Sequence, residues 1–162
     1  MDAPNWIKAD GIRIAIVPRP RGHDWLVDEL RELRMRGIET LVSLLTPEES
    51  DELGLANEAP YCNEVGINFL AFPIPDRSVP ISVTDFSKFM TVIESELNNG
   101  RSIGIHCRAG IGRSSLVAAS VLVRRGVNHD AAFEAIALSR GRPVPDTPEQ
   151  REWVERSVRR KS

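Results

Sequence analysis

Residues 103–116 read Ile103-Gly104-Ile105-His106-Cys107-Arg108-Ala109-Gly110-Ile111-Gly112-Arg113-Ser114-Ser115-Leu116. A short apolar run stops at a cysteine, and a turn containing two glycines follows. Ile103 to His106 has the length and composition of a buried strand. From Ile111 to Arg125 the residues are small and apolar nearly all round, which predicts a central, buried helix. The same alternation extends outward in both directions. Upstream, Ile12 to Val17 reads as a strand stopped by Pro18. Asp24 to Arg36, with Leu26, Leu30 and Leu33 at helical spacing, reads as a helix ended by Gly37. Thr40 to Leu45 has the composition of a buried strand. Thr46-Pro47-Glu48-Glu49 supplies a cap and a proline at the first helical position, so a short helix follows. Asn68 to Ile74 reads as a strand. Pro73 to Pro80 holds three prolines and predicts a loop. Thr84-Asp85 opens a helix carrying Phe86, Phe89, Met90, Ile93 and Leu97, which ends at Asn98-Asn99-Gly100. Downstream, His129 to Arg140 and Thr147 to Arg160 supply two more helices. Short strands alternating with helices imply an α/β fold. The expectation is a single layered domain over residues 1–162, with a mostly parallel central sheet of four to five strands flanked by helices. Such sheets bind ligands beyond the carboxyl ends of their strands, where Cys107 sits.

Composition narrows the function. The chain has 162 residues, 41% apolar and 27% charged, as a folded globular chain does. Its formal net charge of -2 gives no general electrostatic case for nucleic acid. The basic run from Arg156 to Lys161 suits a solvated helix end. No stretch has the roughly 18 apolar residues of a membrane span, and the first residues lack the pattern of a signal peptide. Two cysteines are too few for a disulfide framework and fit a reducing cytoplasm, with Cys107 a free thiol. His23, His106 and His129 are scattered and no C-x-x-C pair occurs, so neither metal nor cofactor is expected. The expected partners are therefore neither nucleic acid nor membrane, and a monomer is expected.

Three phosphate-related loops compete for the quoted stretch. A Walker loop needs a lysine that is absent. A dinucleotide fingerprint finds only Gly110 and Gly112, with Ser115 where a third glycine belongs. Asp130, 130 − 110 = 20 residues on, looks like part of a helix cap rather than a ribose-binding acid at a strand end. The third reading uses every unusual residue. A thiol is a useful nucleophile only as thiolate, and a helix N-terminus or a neighbouring cation lowers its pKa from about 8.5 to roughly 3.5–7.5. Arg108, Ala109, Gly110, Ile111, Gly112 and Arg113 would wrap the sulfur, with backbone N–H groups turned inward as a nest for phosphate oxygens. Arg113 adds a planar fork for two of those oxygens.

Cys107, five intervening residues and Arg113, flanked by His106 and Ser114, resemble the signature of the cysteine-dependent protein tyrosine phosphatases. The run from Gly110 to Ala119 most resembles the small dual-specificity branch, above all the cyclin-dependent-kinase-inhibitor-associated phosphatases. The likeness extends more loosely over most of the chain. It implies a phosphatase-like fold and metal-independent hydrolysis of phosphate monoesters through a cysteinyl-phosphate. The substrates implied are phosphorylated proteins, with phosphotyrosine joined by phosphoserine and phosphothreonine. A general acid must protonate the leaving oxygen. In the family an aspartate does so from an upstream loop, which points to Asp76, 107 − 76 = 31 residues before the cysteine. Asp76 also reads as an ordinary turn residue, Asp85 as a helix-start residue and Asp146 as a reserve acid. The resemblance gives Ser114 a hydrogen bond to the departing sulfur; otherwise it is a first-turn residue. It gives His106 a hydrogen bond to the loop that helps keep the sulfur ionised; otherwise His106 is a core histidine. It makes Gln150 an aid in positioning water; otherwise Gln150 is an exposed first-turn residue. Arg108, at the loop's variable position, faces solvent or attracts acidic residues beside the phosphorylated one. Phosphoinositide phosphatases place lysines on both sides of the Ala-Gly pair, whereas Ile111 stands on one side here. Cys62 is a second thiol that in some relatives traps the oxidised nucleophile. Two rivals stay open: a rhodanese-like sulfurtransferase, and a non-catalytic phosphopeptide-binding module on the same fold.

Overall fold

The computed structural model describes residues 2–9 and 11–160. Five strands form one sheet in the order β1-β2-β5-β3-β4: β1 Asn5–Trp6, β2 Ile14–Ile16, β3 Thr40–Ser43, β4 Asn68–Ala71 and β5 Ile103–His106. β2, β5, β3 and β4 run parallel, and β1 joins the β2 edge antiparallel. The expected layered α/β architecture is what the chain forms, with a fifth strand too short to show in the sequence pattern.

β5 lies at the centre, and all four of its residues are buried. A parallel strand covered on both faces must be apolar throughout, as this one nearly is. Side chains alternate between two cores. Ile14, Ile16, Val42, Ile103 and Ile105 enter the larger one, with Leu116, Val117, Phe133 and Trp153. Ala15, Val17 and Leu41 enter the smaller one, with Leu30, Leu33 and Cys62. Helices α4 (Val83–Asn98), α5 (Arg113–Arg124), α6 (His129–Arg140) and α7 (Pro148–Ser157) cover the first face. Helices α1 (Leu26–Met35) and α3 (Glu58–Val65) cover the second, and α2 (Pro47–Glu52) follows β3. Every α5 residue from Arg113 to Val123 is buried, which explains its all-round apolar character. No described helix is long and apolar enough to cross a membrane.

Several boundaries differ from expectation. The α4 cap is Ser82, whose hydroxyl accepts from the Asp85 amide at 3.1 Å, rather than Thr84-Asp85. β4 stops at Ala71, before the first loop proline. α5 begins at Arg113, two residues later than expected, so the whole span from Cys107 to Gly112 is free to form a loop. α7 ends at Ser157, and Lys161 of the basic run lies outside the described residues. α3 was not foreseen, because Ala59, Cys62 and Val65 give too faint a helical stripe.

Gly104 in β5 is dictated by packing. A Cβ there would sit 2.8 Å from Val17 Cγ1 and 3.1 Å from Ile38 Cδ1. Val17 is stiff at χ1 and cannot swing aside cheaply. Gly104→Ala is expected to overpack the smaller core and destabilise by roughly 1–3 kcal/mol, a fall of about 2–4 °C in Tm per kcal/mol, read by thermal unfolding.

Candidate active site

Cys107 leaves the carboxyl end of β5, and α5 starts six residues later with its N-terminus on the same side. Between them Gly110 takes φ +71°, a left-handed turn that favours glycine. Its amide donates to Cys107 Sγ at 3.2 Å. The loop's carbonyls are held elsewhere. Arg19 Nη1 donates to the Arg108 carbonyl at 2.9 Å. Arg140 donates from Nε to the Gly110 carbonyl at 2.9 Å and from Nη2 to the Ala109 carbonyl at 3.4 Å. With its carbonyls tied to guanidinium groups, the loop keeps its amides for the sulfur side, the polarity an anion nest needs. Ile111 packs against the larger core.

Arg113 is 2% exposed and lies at the centre of a polar cluster. Nη1 and Nη2 donate to the two carboxylate oxygens of Glu49 at 2.7 and 2.9 Å, a bidentate pair. Nη1 also donates to the Ile74 carbonyl at 2.9 Å, and Nη2 to Asp76 Oδ1 at 2.9 Å. Burial opposes the charge of Arg113, but the Glu49 hydrogen bonds, Cys107 and Asp76 outweigh it and raise the guanidinium pKa. Burial likewise pushes the Glu49 carboxyl up. The Arg113 hydrogen bonds and the Thr46 amide overcome that and bring it from the ordinary 4.5 to about 2. Thr46 and Glu49 form the expected capping box, so one carboxylate both opens α2 and holds the arginine. Arg108 lies 3.5 Å from Glu49 and 3.7 Å from Glu52.

Asp76 comes from the proline-rich loop and is half exposed at the mouth of the site. Asp146 stands close to Gly112 on the far side and pairs loosely with Arg77, at 3.9 Å. Ser114 and Ser115, in the first turn of α5, are fully buried, and their hydroxyls have no hydrogen-bond partner among the described residues. Ser114 therefore has a donor to spare beside the loop. Gln150 is fully buried rather than exposed. Its Oε1 accepts from the Thr147 amide at 3.2 Å, and its Nε2 donates to the Ser78 carbonyl at 3.0 Å. It also fills the space where a Cβ on Gly112 would lie, 2.7 Å away, so it links the Asp76 loop to the loop after β5.

His106 is fully buried, with Nε2 2.6 Å from Glu58 Oε2 and Nδ1 3.4 Å from the Cys107 carbonyl. Neither Glu49 nor Glu58 stands out in the sequence as a site residue, since each meets its partner across a long stretch of chain. Cys62 sits in the smaller core, on the opposite face of the sheet from the core that holds Cys107. Burial, with the Glu58 charge, pushes its thiol up to about 12, which leaves it a poor partner for an oxidised sulfur. Among the described residues, no three His, Cys, Asp or Glu side chains gather to hold a metal ion.

Comparison with known proteins follows the same lines. A family model described as polymorphic toxin system, DSP-PTPase phosphatase matches residues 16–127, more than half of the chain. A protein of Invertebrate iridescent virus 6 named as a tyrosine phosphatase is 35% identical over 95 residues, covering 54% of this chain and 36% of its own. Cyclin-dependent kinase inhibitor 3 of Sus scrofa is 29% identical over 128 residues, covering 78% of this chain and 60% of its own. The chain thus spans less than two thirds of the length of either relative. The crystal structure of kinase associated phosphatase, with its catalytic-site cysteine changed to serine, superposes with a TM-score of 0.80. That match has 23% identity and covers 87% of this chain and 83% of the other.

The Glu49–Arg113 pair yields a stability prediction. Glu49→Gln removes the bidentate carboxylate and leaves a buried guanidinium under-compensated, at a cost on the order of 3 kcal/mol. Because the folded carboxyl is depressed from 4.5 to about 2, its contribution is full above pH 4.5 and is lost as pH falls through 2. Urea unfolding at a series of pH values should show the gap between wild type and variant closing across that window.

Proposed function

Because the chain belongs to the dual-specificity and tyrosine phosphatase family, we propose that residues 1–162 act as one catalytic domain that hydrolyses phosphate monoesters on proteins through a cysteinyl-phosphate. The observation that carries this reading is the loop itself. The sulfur of Cys107 receives a main-chain amide, the loop carbonyls are tied outward, and a buried guanidinium stands beside it.

The donors of Arg113 suggest how substrate engages. Of its five N–H groups, two meet Glu49, one meets the Ile74 carbonyl and one meets Asp76. The remaining Nε–H and the Nη2–H now held by Asp76 lie on one edge of the fork. A phosphate taking that edge displaces the Asp76 carboxylate, which, freed of the guanidinium, takes up a proton from solvent and stands at the mouth of the site facing the leaving oxygen. Cys107 then attacks phosphorus in line with that oxygen. The S–P bond forms as the P–O bond breaks, and Asp76 gives its proton to the departing alkoxide or phenoxide. In the second step Asp76 takes a proton from water, whose oxygen attacks phosphorus and expels the thiolate. Ser114 donates to the departing sulfur. Gln150 uses both ends of its amide to hold the Asp76 loop against α7, which favours a role in placing the acid over a role in placing water.

Phosphorylated side chains of proteins fit this site. Arg108, Arg19 and Arg140 line a cavity of about 250 Å³ beside the loop, a place for acidic residues that flank the scissile one. Ile111 in place of a second lysine weakens the case for polyanionic lipid head groups. A sulfurtransferase has no use for Asp76 on Arg113, and a phosphopeptide reader has none for a thiol at the centre of the cradle.

Two outcomes test the reading with chelator present. Cys107→Ser should abolish phosphate release from phosphotyrosine, phosphothreonine and phosphoserine peptides while leaving phosphopeptide binding measurable by calorimetry. Asp76→Ala should slow peptide substrates by about 10²–10⁴-fold, the typical contribution of a general acid. It should slow aryl phosphates with acidic leaving groups far less. Equal rates for wild type and Asp76→Ala on peptides would remove Asp76 from the mechanism, and sulfur transfer from thiosulfate to cyanide would replace the reading altogether.

A further inference from the structure

The buried pair of His106 and Glu58 is larger in its consequences than a satisfied core histidine requires. His106 ends β5 directly before the nucleophile, and Glu58 is the first residue of α3. Both are almost wholly buried, at 0% and 2% exposed. The ring faces an oxygen on each side: Glu58 Oε2 at 2.6 Å from Nε2, and the Cys107 carbonyl at 3.4 Å from Nδ1.

Hydrogen-bond chemistry then constrains the proton count. A carbonyl oxygen only accepts, so a hydrogen bond there requires the proton on Nδ1. If Nε2 and Glu58 held no proton between them, two lone pairs would face each other at 2.6 Å in a buried site. One proton therefore sits in that bond. With it on nitrogen, the pair is an imidazolium beside a carboxylate; with it on oxygen, a neutral imidazole beside a carboxylic acid. Either way the pair is neutral overall and Nδ1–H stays directed at the cysteine's own carbonyl. In the first form the ring carries a positive charge next to the peptide that joins it to Cys107.

We infer that Glu58 is a positioning residue of the catalytic loop: by holding the proton of their bond on Nε2 it keeps the imidazole a donor on both sides, anchors the first carbonyl of the loop and favours the thiolate of Cys107. The inference rests on the phosphatase reading for its purpose but not for its measurement. Other charges act on the same sulfur and are unaffected by the pair, Arg113 from α5 and Arg140 from the end of α6, while Arg108 within the loop lies toward Glu49 and Glu52. Glu49 and Asp76 act on it through Arg113. Around His106 the charged neighbour is Glu58, and the Cys62 thiol lies in the field of that carboxylate.

Glu58→Gln keeps the shape of the side chain and removes its charge, so no carboxylate is left to hold an imidazolium. The experiment is the pH dependence of iodoacetate alkylation at Cys107, located by peptide mass spectrometry, in wild type, Glu58→Gln, His106→Asn and the double variant. It needs no turnover, so its outcome is separable from that of the phosphate-release assays. The midpoint of the profile should move upward in Glu58→Gln by on the order of one pH unit. It should not move further when the same change is made on the His106→Asn background. An unmoved midpoint in Glu58→Gln, or an equal shift with and without His106, would overturn the inference. Should the variant fail to fold, nitrogen NMR of the wild-type ring decides. A proton shared at Nε2 with Nδ1 also protonated supports the proposal, and a bare Nε2 refutes it.

Discussion

A guanidinium cannot be buried without something to answer its charge, and the site grows out of that constraint. Arg113 lies at the start of a helix and is almost wholly out of solvent, where an isolated cation would be prohibitively costly. Glu49 answers it with both oxygens, and the Ile74 carbonyl takes a further donor. Those partners come from the segments that follow β3 and β4, so the arginine joins the ends of two neighbouring strands to the helix after a third. Burial, hydrogen bonding and strand order are satisfied together or not at all. What remains of the arginine is one edge, and that edge faces the mouth of the loop.

The sheet explains why the loop stands where it does. β5 is flanked by β2 and β3, all pointing the same way, so its carboxyl end is the middle of the sheet's working edge. Both faces of the sheet are covered, which leaves the strand ends as the place where polar groups can reach solvent and substrate. Cys107 leaves the central strand with no freedom in its direction, and α5, buried from Arg113 to Val123, has none in its own. The loop between two such fixed elements inherits their rigidity.

Much of this was legible in the residues. Alternating apolar runs gave four of the strands and most of the helices, because period and composition are local properties. Cys107 to Ser114 was legible because all its unusual residues are contiguous. Glu49 shows the limit. Thr46-Pro47-Glu48-Glu49 announced a helix start, and the helix is there, but nothing near Glu49 indicates that the same carboxylate also holds an arginine 113 − 49 = 64 residues away. Glu58 is hidden for the same reason and for a second one: its helix has too weak an apolar stripe to be seen. β1 is two residues long and takes its structure from the edge it pairs with. Gln150 reads equally as a site residue and as an exposed first-turn residue, and only its packing against Gly112 encloses it.

The arginines behind the loop carry one more consequence. Arg19 and Arg140 grip three successive carbonyls from outside, so no peptide plane there can rotate unless it gives up a charge-assisted contact. The usual penalty for immobilising a flexible binding segment is therefore settled when the chain folds, long before any ligand arrives. Recognition at such a surface resembles a key meeting a rigid lock, and the energy of contact is free to appear as affinity or as rate.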